Sequence, residues 1–233
     1  MASCAKIFKY IKQSASEVDY TKVNPKKWDW KQVVWPFRVM VHPFTGYEEM
    51  KYYKQGSVAL GLFIMALWCF SGVFSFLETG FLFNINRAKD LSLFTQFVST
   101  ALLVILWTIS NWAICTLLDG EGRVREIFIS TAYAAMPQIV SIIPMAIISK
   151  GLIQEEQAFL TIARVVFFAW MLILLFVANT TMHQYSFGKS LVSMILTIFG
   201  IIIIMLLVVL VFSLFIQIWS FIRTIINEMF YRV

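Results

Sequence analysis

The sequence predicts an all-α protein, a polytopic transmembrane bundle of five helical spans with an interfacial aromatic and basic segment at its N-terminal end. Three observations carry this. Of the 233 residues, 60% are hydrophobic and only 14% charged, whereas soluble domains carry roughly 45–50% apolar and about 25% charged residues. The apolar excess is gathered into runs of about twenty residues, the length that crosses a bilayer as a helix. The net charge of +6 is concentrated before residue 57, where it reads as membrane topology rather than as a nucleic-acid footprint, which needs a folded basic polar domain.

Residues 1 to about 27 are polar. Lys6, Lys9 and Lys12 alternate with Ile7, Phe8, Tyr10 and Ile11, a pattern that suits a membrane surface, a partner or a frayed tail equally. No early hydrophobic run is present, so neither a signal peptide nor a lipoprotein cleavage box is expected. From Trp28 to Tyr53 aromatic residues stand among Lys31, Arg38 and Lys51. Rings with an apolar body and a polar edge, next to basic groups, are what the headgroup layer selects. An interfacial segment is expected here, broken at Pro36 and again at Pro43. These residues, 1–57, form the first domain.

The second domain, 58–222, holds the spans. Span 1 runs from about Val58 to Leu77, followed by an interfacial dip at Phe81, Leu82 and Phe83 and a polar loop to Ser92. Span 2 runs from about Leu93 to Leu118, span 3 from about Ile127 to Ser149 and span 4 from about Phe159 to Thr181. Pro137 and Pro144 each remove a helix hydrogen bond inside span 3, so a kink is expected there, packed on span 2 near Asn111 and Trp112. Hydroxyls such as Ser141 are candidates to satisfy the freed carbonyls. Span 5 stays apolar from about Leu191 to Ile222, longer than a bilayer needs, and is expected to tilt, bend at Gly200 or protrude. A short tail, 223–233, ends the chain.

Basic residues set the orientation. Ten Lys/Arg before span 1, Arg123 and Arg125 after span 2 and Lys189 before span 5 stand against Arg87, Lys89, Lys150, Arg164, Arg223 and Arg232. Thirteen against six places the N-terminus in the cytoplasm and the C-terminus outside.

The turn between spans 2 and 3, Asp119-Gly120-Glu121-Gly122-Arg123, packs two glycines and three charges into five residues. The glycines are expected to supply positive φ for a tight reversal, with Glu121 favoured by the dipole of the helix that follows and Arg123 and Arg125 at the headgroups. A bilayer-embedded phosphatidyltransferase would need more acids one helix turn apart, and a calcium loop needs alternating oxygen ligands; neither pattern is present. Two readings of the turn remain, a compact hairpin and a protein contact patch. His42 has only His183 as a second histidine and no paired carboxylate, so no metal site is drawn from it. Cys4, Cys69 and Cys115 lie far apart and read as small apolar fillers. Arg164, about one turn into span 4, is expected to reach back to the headgroups. Asn111, Gln138, Asn179, Thr180, Thr181 and Gln217 read as polar glue between helices. No nucleophile has a base and an orienting group at its depth, and no cofactor is called for, so no enzyme is expected.

The Asp119 turn, followed at helical distance by Ala132-Tyr133-Ala134-Ala135-Met136-Pro137, resembles the core of the Yip1 family of five-span membrane proteins. Eukaryotic members carry Asp-Leu-Tyr-Gly-Pro ahead of the third span and a Gly-Tyr pair within it. Here Asp119 and Gly122 match while Gly120, Glu121 and Arg123 depart. Asp-Gly-Glu-Gly with Ala-Tyr-Ala is similar to the bacterial branch, as are the pre-span residues His42-Pro43-Phe44 with Gly46, and His183-Gln184-Tyr185 with Gly188-Lys189. The resemblance implies a non-enzymatic protein acting through partners or by organising the bilayer. In bacteria it implies an inner-membrane accessory subunit of a carbohydrate ABC importer. In eukaryotes it implies Rab-type GTPases as partners. Asp119, Gly120, Glu121, Gly122, Arg123, Arg125, Tyr133 and Pro137 are then the family motif and candidate contact. Membrane lipid and other membrane proteins are the expected partners, with no nucleic acid. A small transporter or channel using the kinked span 3 is the alternative from another class.

Overall fold

The structure is a computed structural model that describes residues 30–53, 56–80 and 92–231. The lysine-patterned N-terminal tail, Trp28, Lys54, the dip at Phe81–Phe83, the loop with Arg87 and Lys89, and Arg232 lie outside the described residues. Among the described residues every regular element is a helix. Two short helices come first, α1 (Trp30–Val41) and α2 (Pro43–Tyr53). Span 1 is α3 (Val58–Glu78) and span 2 is α4 (Leu93–Leu117). Span 3 comes in two pieces, α5 (Val124–Ala134) and α6 (Met136–Ile148). Span 4 is α7 (Gln157–His183) and span 5 is α8 (Phe187–Tyr231). Five stretches, with α5 and α6 taken as one, are long and apolar enough to cross a membrane. The chain is an integral membrane protein.

Span 3 is the axis of the bundle. Its two pieces pack against α3, α4 and α7, whereas α8 leans on α4 and α7 from outside. Small residues let these backbones approach, since lipid gives helices no hydrophobic reason to associate and close packing must do it. Ala132 and Ala134 are buried between Leu60 and Ile64 of α3 and Leu174, Val177, Ala178 and Met182 of α7. Span 3 is interrupted at Ala135, where Pro137 has no N–H to donate back to Tyr133. Pro144 behaves differently from expectation: α6 runs through it to Ile148. Placed four residues from the helix end, it frees only the Val140 carbonyl. The Ser141 hydroxyl does not replace that bond, because it donates to Gln138 O (2.9 Å). Asn111 of α4 is buried beside Ile127, Ser130 and Thr131 of α5, before the break, and Trp112 faces outward.

The segment before span 1 also departs from expectation. Pro36 lies inside α1 without breaking it and is fully buried. The one break falls at His42, where α2 starts on Pro43, a residue preorganised for a first helical turn. Gly46 makes the reversal possible, since a Cβ there would stand 2.9 Å from Val39 Cγ2 and 3.0 Å from its Cα. The segment does not lie on the bundle's surface edge alone. Trp35, Val39, Tyr47 and Met50 enter the same core as Tyr133 and Ile139.

At the end opposite the Asp119 turn, Gly80 N–H donates to Ser149 Oγ (2.8 Å) and Lys150 pairs with Glu78, closing span 1 on span 3. Span 5 protrudes. It passes Gly200 unbroken, because that glycine serves a close approach in which the Ser110 hydroxyl occupies the place of a Cβ. Ser110 lies opposite Thr197 and Asn179 opposite Ser190 and Ser193. Counted outward at about 1.5 Å per residue, the far ends of α4 and α7 fall level with about residue 214 of α8. From Met205 to Met229 every side chain is exposed.

Candidate functional site at the turn face

The Asp119 turn joins α4 to α5, and its backbone corrects the sequence reading. Neither glycine has positive φ; Asp119 itself does, at 56°, a conformation that Asp tolerates better than most residues. The glycines are needed for room. A Cβ on Gly120 would stand 2.5 Å from the Tyr185 hydroxyl and from His183 Nδ1, and one on Gly122 would stand 2.6 Å from His183 Cε1. Glu121 does not cap the next helix. That role falls to Glu126, whose carboxylate accepts from Arg123 N–H (3.2 Å). Glu121 pairs instead with Lys51 of α2 (3.2 Å).

Beneath the turn lies a buried polar chain. Gly122 N–H donates to His183 Nδ1 (3.3 Å), so the ring proton sits on Nε2, which donates to Asn111 Oδ1 (3.0 Å). Asn111 Nδ2 donates to Asn179 Oδ1 (2.9 Å) and Thr197 Oγ1 (3.2 Å). Asn179 Nδ2 then donates to Ser193 Oγ (2.7 Å) and Ser190 Oγ (3.0 Å). The chain thus links the turn, α4, α7 and α8, the four pieces whose ends meet here. Each buried amide and ring nitrogen in it has a partner, which matters because an unpaired one costs about 1–3 kcal/mol.

Tyr185 and Lys51 complete the clamp. The Tyr185 ring stacks on His183 (centroids 5.3 Å apart), and its hydroxyl donates to Cys115 O (2.9 Å), a carbonyl in the last turn of α4 that also accepts from Gly120 N–H. Burial, reinforced by Cys115 and Asp119, pushes that hydroxyl's pKa up, so it stays a donor. Lys51 Nζ donates to Met182 O (2.9 Å), another helix-end carbonyl, where a cation also suits the dipole. Asp119, Glu121, Arg123 and Arg125 all remain exposed at the outer surface of this clamp.

The other sequence candidates lie elsewhere. Tyr133 and Pro137 are fully buried in the core on the axis of the bundle, out of reach of any partner. Tyr133 does face the backbone of Ser57, at the joint between α2 and α3. His42, Pro43, Phe44 and Gly46 form the tip and inner seam of the α1–α2 reversal, with His42 and Phe44 exposed. Arg164 is exposed and lines a groove of about 350 Å³ with Ser75, Gln138, Ser141 and Phe168, away from the turn. Among the described residues no three His, Cys, Asp or Glu side chains converge as metal ligands. His183, two residues beyond the expected end of span 4 at Thr181 and given no role by the sequence, closes α7. A signal was available: Ser190, Ser193 and Thr197 recur at i, i+3 and i+7 on an otherwise apolar helix, opposite two asparagines near span ends.

The Yip1 domain model matches residues 37–211, well over half of the chain. The chain belongs to the Yip1 domain family. The Yip1 match opens inside α1 and closes within α8, so the α1–α2 tip, the clamped turn and the polar chain all belong to the Yip1 domain. The protruding part of α8 follows it. No curated protein and no solved structure matches the chain.

Proposed function

We propose that this Yip1 protein is a non-enzymatic membrane adaptor whose clamped turn is its contact site for another protein. The observation that carries this is the combination of a fixed backbone and free charges. His183 and Tyr185 hold the turn from below, while Asp119, Arg123 and Arg125 are exposed above. A preorganised loop gives up little entropy on binding, and charge placed at its surface steers a complementary partner. The sequence text supports the finer reading. Asp119-Gly120-Glu121-Gly122 and Ala132-Tyr133-Ala134 resemble the bacterial branch, which makes the partner a carbohydrate ABC importer in the inner membrane and the turn face cytoplasmic. In a eukaryotic setting the same surface would meet Rab-type GTPases.

The transporter alternative needs water to reach the amides of spans 2 and 4. The void bordered by Trp107, Asn111, Asn179 and His183 is about 10 Å³, about the room one water needs. Asn111 and Asn179 spend their hydrogen bonds on each other and on α8. Both facts favour the adaptor. Its test is Arg123→Glu with Arg125→Glu. Reversal on an exposed turn costs the fold about 0.5 kcal/mol or less, whereas breaking desolvated interface charges costs about 2–5 kcal/mol. The double variant is expected to reach the membrane at normal level and lose its co-purifying partner. Unchanged partner yield retires the contact.

A further inference from the structure

We propose that α1 and α2 form a re-entrant hairpin that enters one leaflet only and gives this protein a preference for curved membranes. Contacts at successive depths trace its path. At the turn face, Gln184 Nε2 donates to Tyr52 Oη (3.4 Å) and Lys51 reaches Met182 O (2.9 Å). Farther down, Tyr47 Oη donates to Ser130 O (3.2 Å), two turns into span 3. Deepest, Trp170 Nε1 donates to Met40 O (3.1 Å). From Met182 to Trp170 along α7 is about 18 Å at 1.5 Å per residue, a little over half of the roughly 30 Å hydrocarbon core. The chain therefore descends in α1, reverses at His42-Pro43 and climbs back in α2 to the face it left.

The two sides of the hairpin fit that position. Trp35, Val39, Tyr47 and Met50 pack inward, while Val34, Phe37, Val41 and Phe44 face outward at 49–62% exposure. Outward apolar residues on a segment that runs down the flank of a membrane bundle meet acyl chains. Irregular or reversing backbone is tolerated at this depth only against protein, which the contacts with spans 3 and 4 supply. The Arg38 guanidinium pairs with Glu49 (2.9 Å) and stacks over Trp35 (5.0 Å), so these two charges of the arms are matched, and Lys51 higher on α2 pairs with Glu121 of the turn.

The consequence is an asymmetric cross-section. Among the described residues, the leaflet at the turn face holds five spans and two hairpin arms, and the opposite leaflet holds the spans alone. Each arm is a helix about 10 Å across, so the turn-face leaflet is wedged open and a membrane convex on that side is favoured. This inference concerns lipid and stands apart from the turn contact.

Two measurements test it on the full chain in phosphatidylcholine–phosphatidylglycerol vesicles. In a Cys4→Ser background, Val41→Cys is expected to resist a membrane-impermeant thiol reagent while its thiol is free and, once labelled with a fluorophore in detergent and reconstituted, to be quenched by lipids brominated in mid-chain. Ready modification by that reagent puts the tip in water and overturns the hairpin. On single vesicles of graded size, the protein oriented with the turn face outward is expected to be about twofold or more denser on the smallest. Val41→Lys with Phe44→Lys, both on the lipid side, is expected to lift the tip and abolish the preference while the melting temperature holds. Equal density at all sizes with a deep tip overturns the curvature role.

Discussion

Gly122 sits under the imidazole of His183 so closely that a methyl group would lie 2.6 Å from Cε1. The ring cannot retreat without giving up its bond to Asn111, and Asn111 cannot follow without releasing Asn179 and Thr197. Gly122→Ala is therefore expected to cost about 1–3 kcal/mol, the range for forcing volume into packed surroundings, and to lower the melting temperature of the purified protein. Gly188→Ala is the control, since nothing lies within 4 Å of the place its Cβ would take. A shift of equal size in both would mean that the clamp is loose. The sequence shows that the turn is glycine-rich, and the natural reading is backbone conformation. What it hides is the other side of the contact, because His183 and Tyr185 are more than sixty residues away and reach the turn only through the fold. The positive φ fell to Asp119, where a short polar side chain makes it tolerable.

Among the elements, the membrane spans are the most legible, because a run of apolar residues as long as the bilayer is thick has few other uses. Their observed ends fall within a few residues of the expected ones, except in span 5. The α1–α2 hairpin is the least legible. Aromatic residues beside lysines serve an interfacial helix and the mouth of a re-entrant one alike, and only Trp170 and Ser130, far along the chain, reveal the depth. Gly46 is the hinge of that element. Gly46→Val would drive two methyl groups into Val39 and its backbone, parting α1 from α2. Such a protein is expected to insert all five spans yet become cleavable by protease within residues 30–53, where the parent resists. Protection equal to the parent's would show that the two helices do not depend on this contact.

At the scale of the whole molecule, orientation rests on thirteen basic residues against six. Single cysteines at exposed ends read it out. Glu121→Cys and Ile153→Cys lie at opposite ends of span 3, Ile153 being 65% exposed. The first is expected to react only from the cytoplasm and the second only from outside intact cells; labelling from one side would undo the five-span topology. Gly122 is a poorer probe, since a side chain there collides with His183.

Span 3 is 61% buried over its most apolar window, against 11–28% for the other four. During synthesis it enters the bilayer before α7 exists, and Ser130, Thr131 and Ser141, all buried in the finished bundle, lack the cover of α7 until then. Their hydroxyls bond back to carbonyls of their own helix, Ile127 or Gln138, and so arrive already satisfied. Asn111 and Asn179 have no such local recourse, since every bond they make is to another helix or to the α7–α8 connection. The ribosome thus delivers a membrane intermediate that is complete along its axis and unfinished at one end. Emergence of Ser190, Ser193 and Thr197 is the event that closes it.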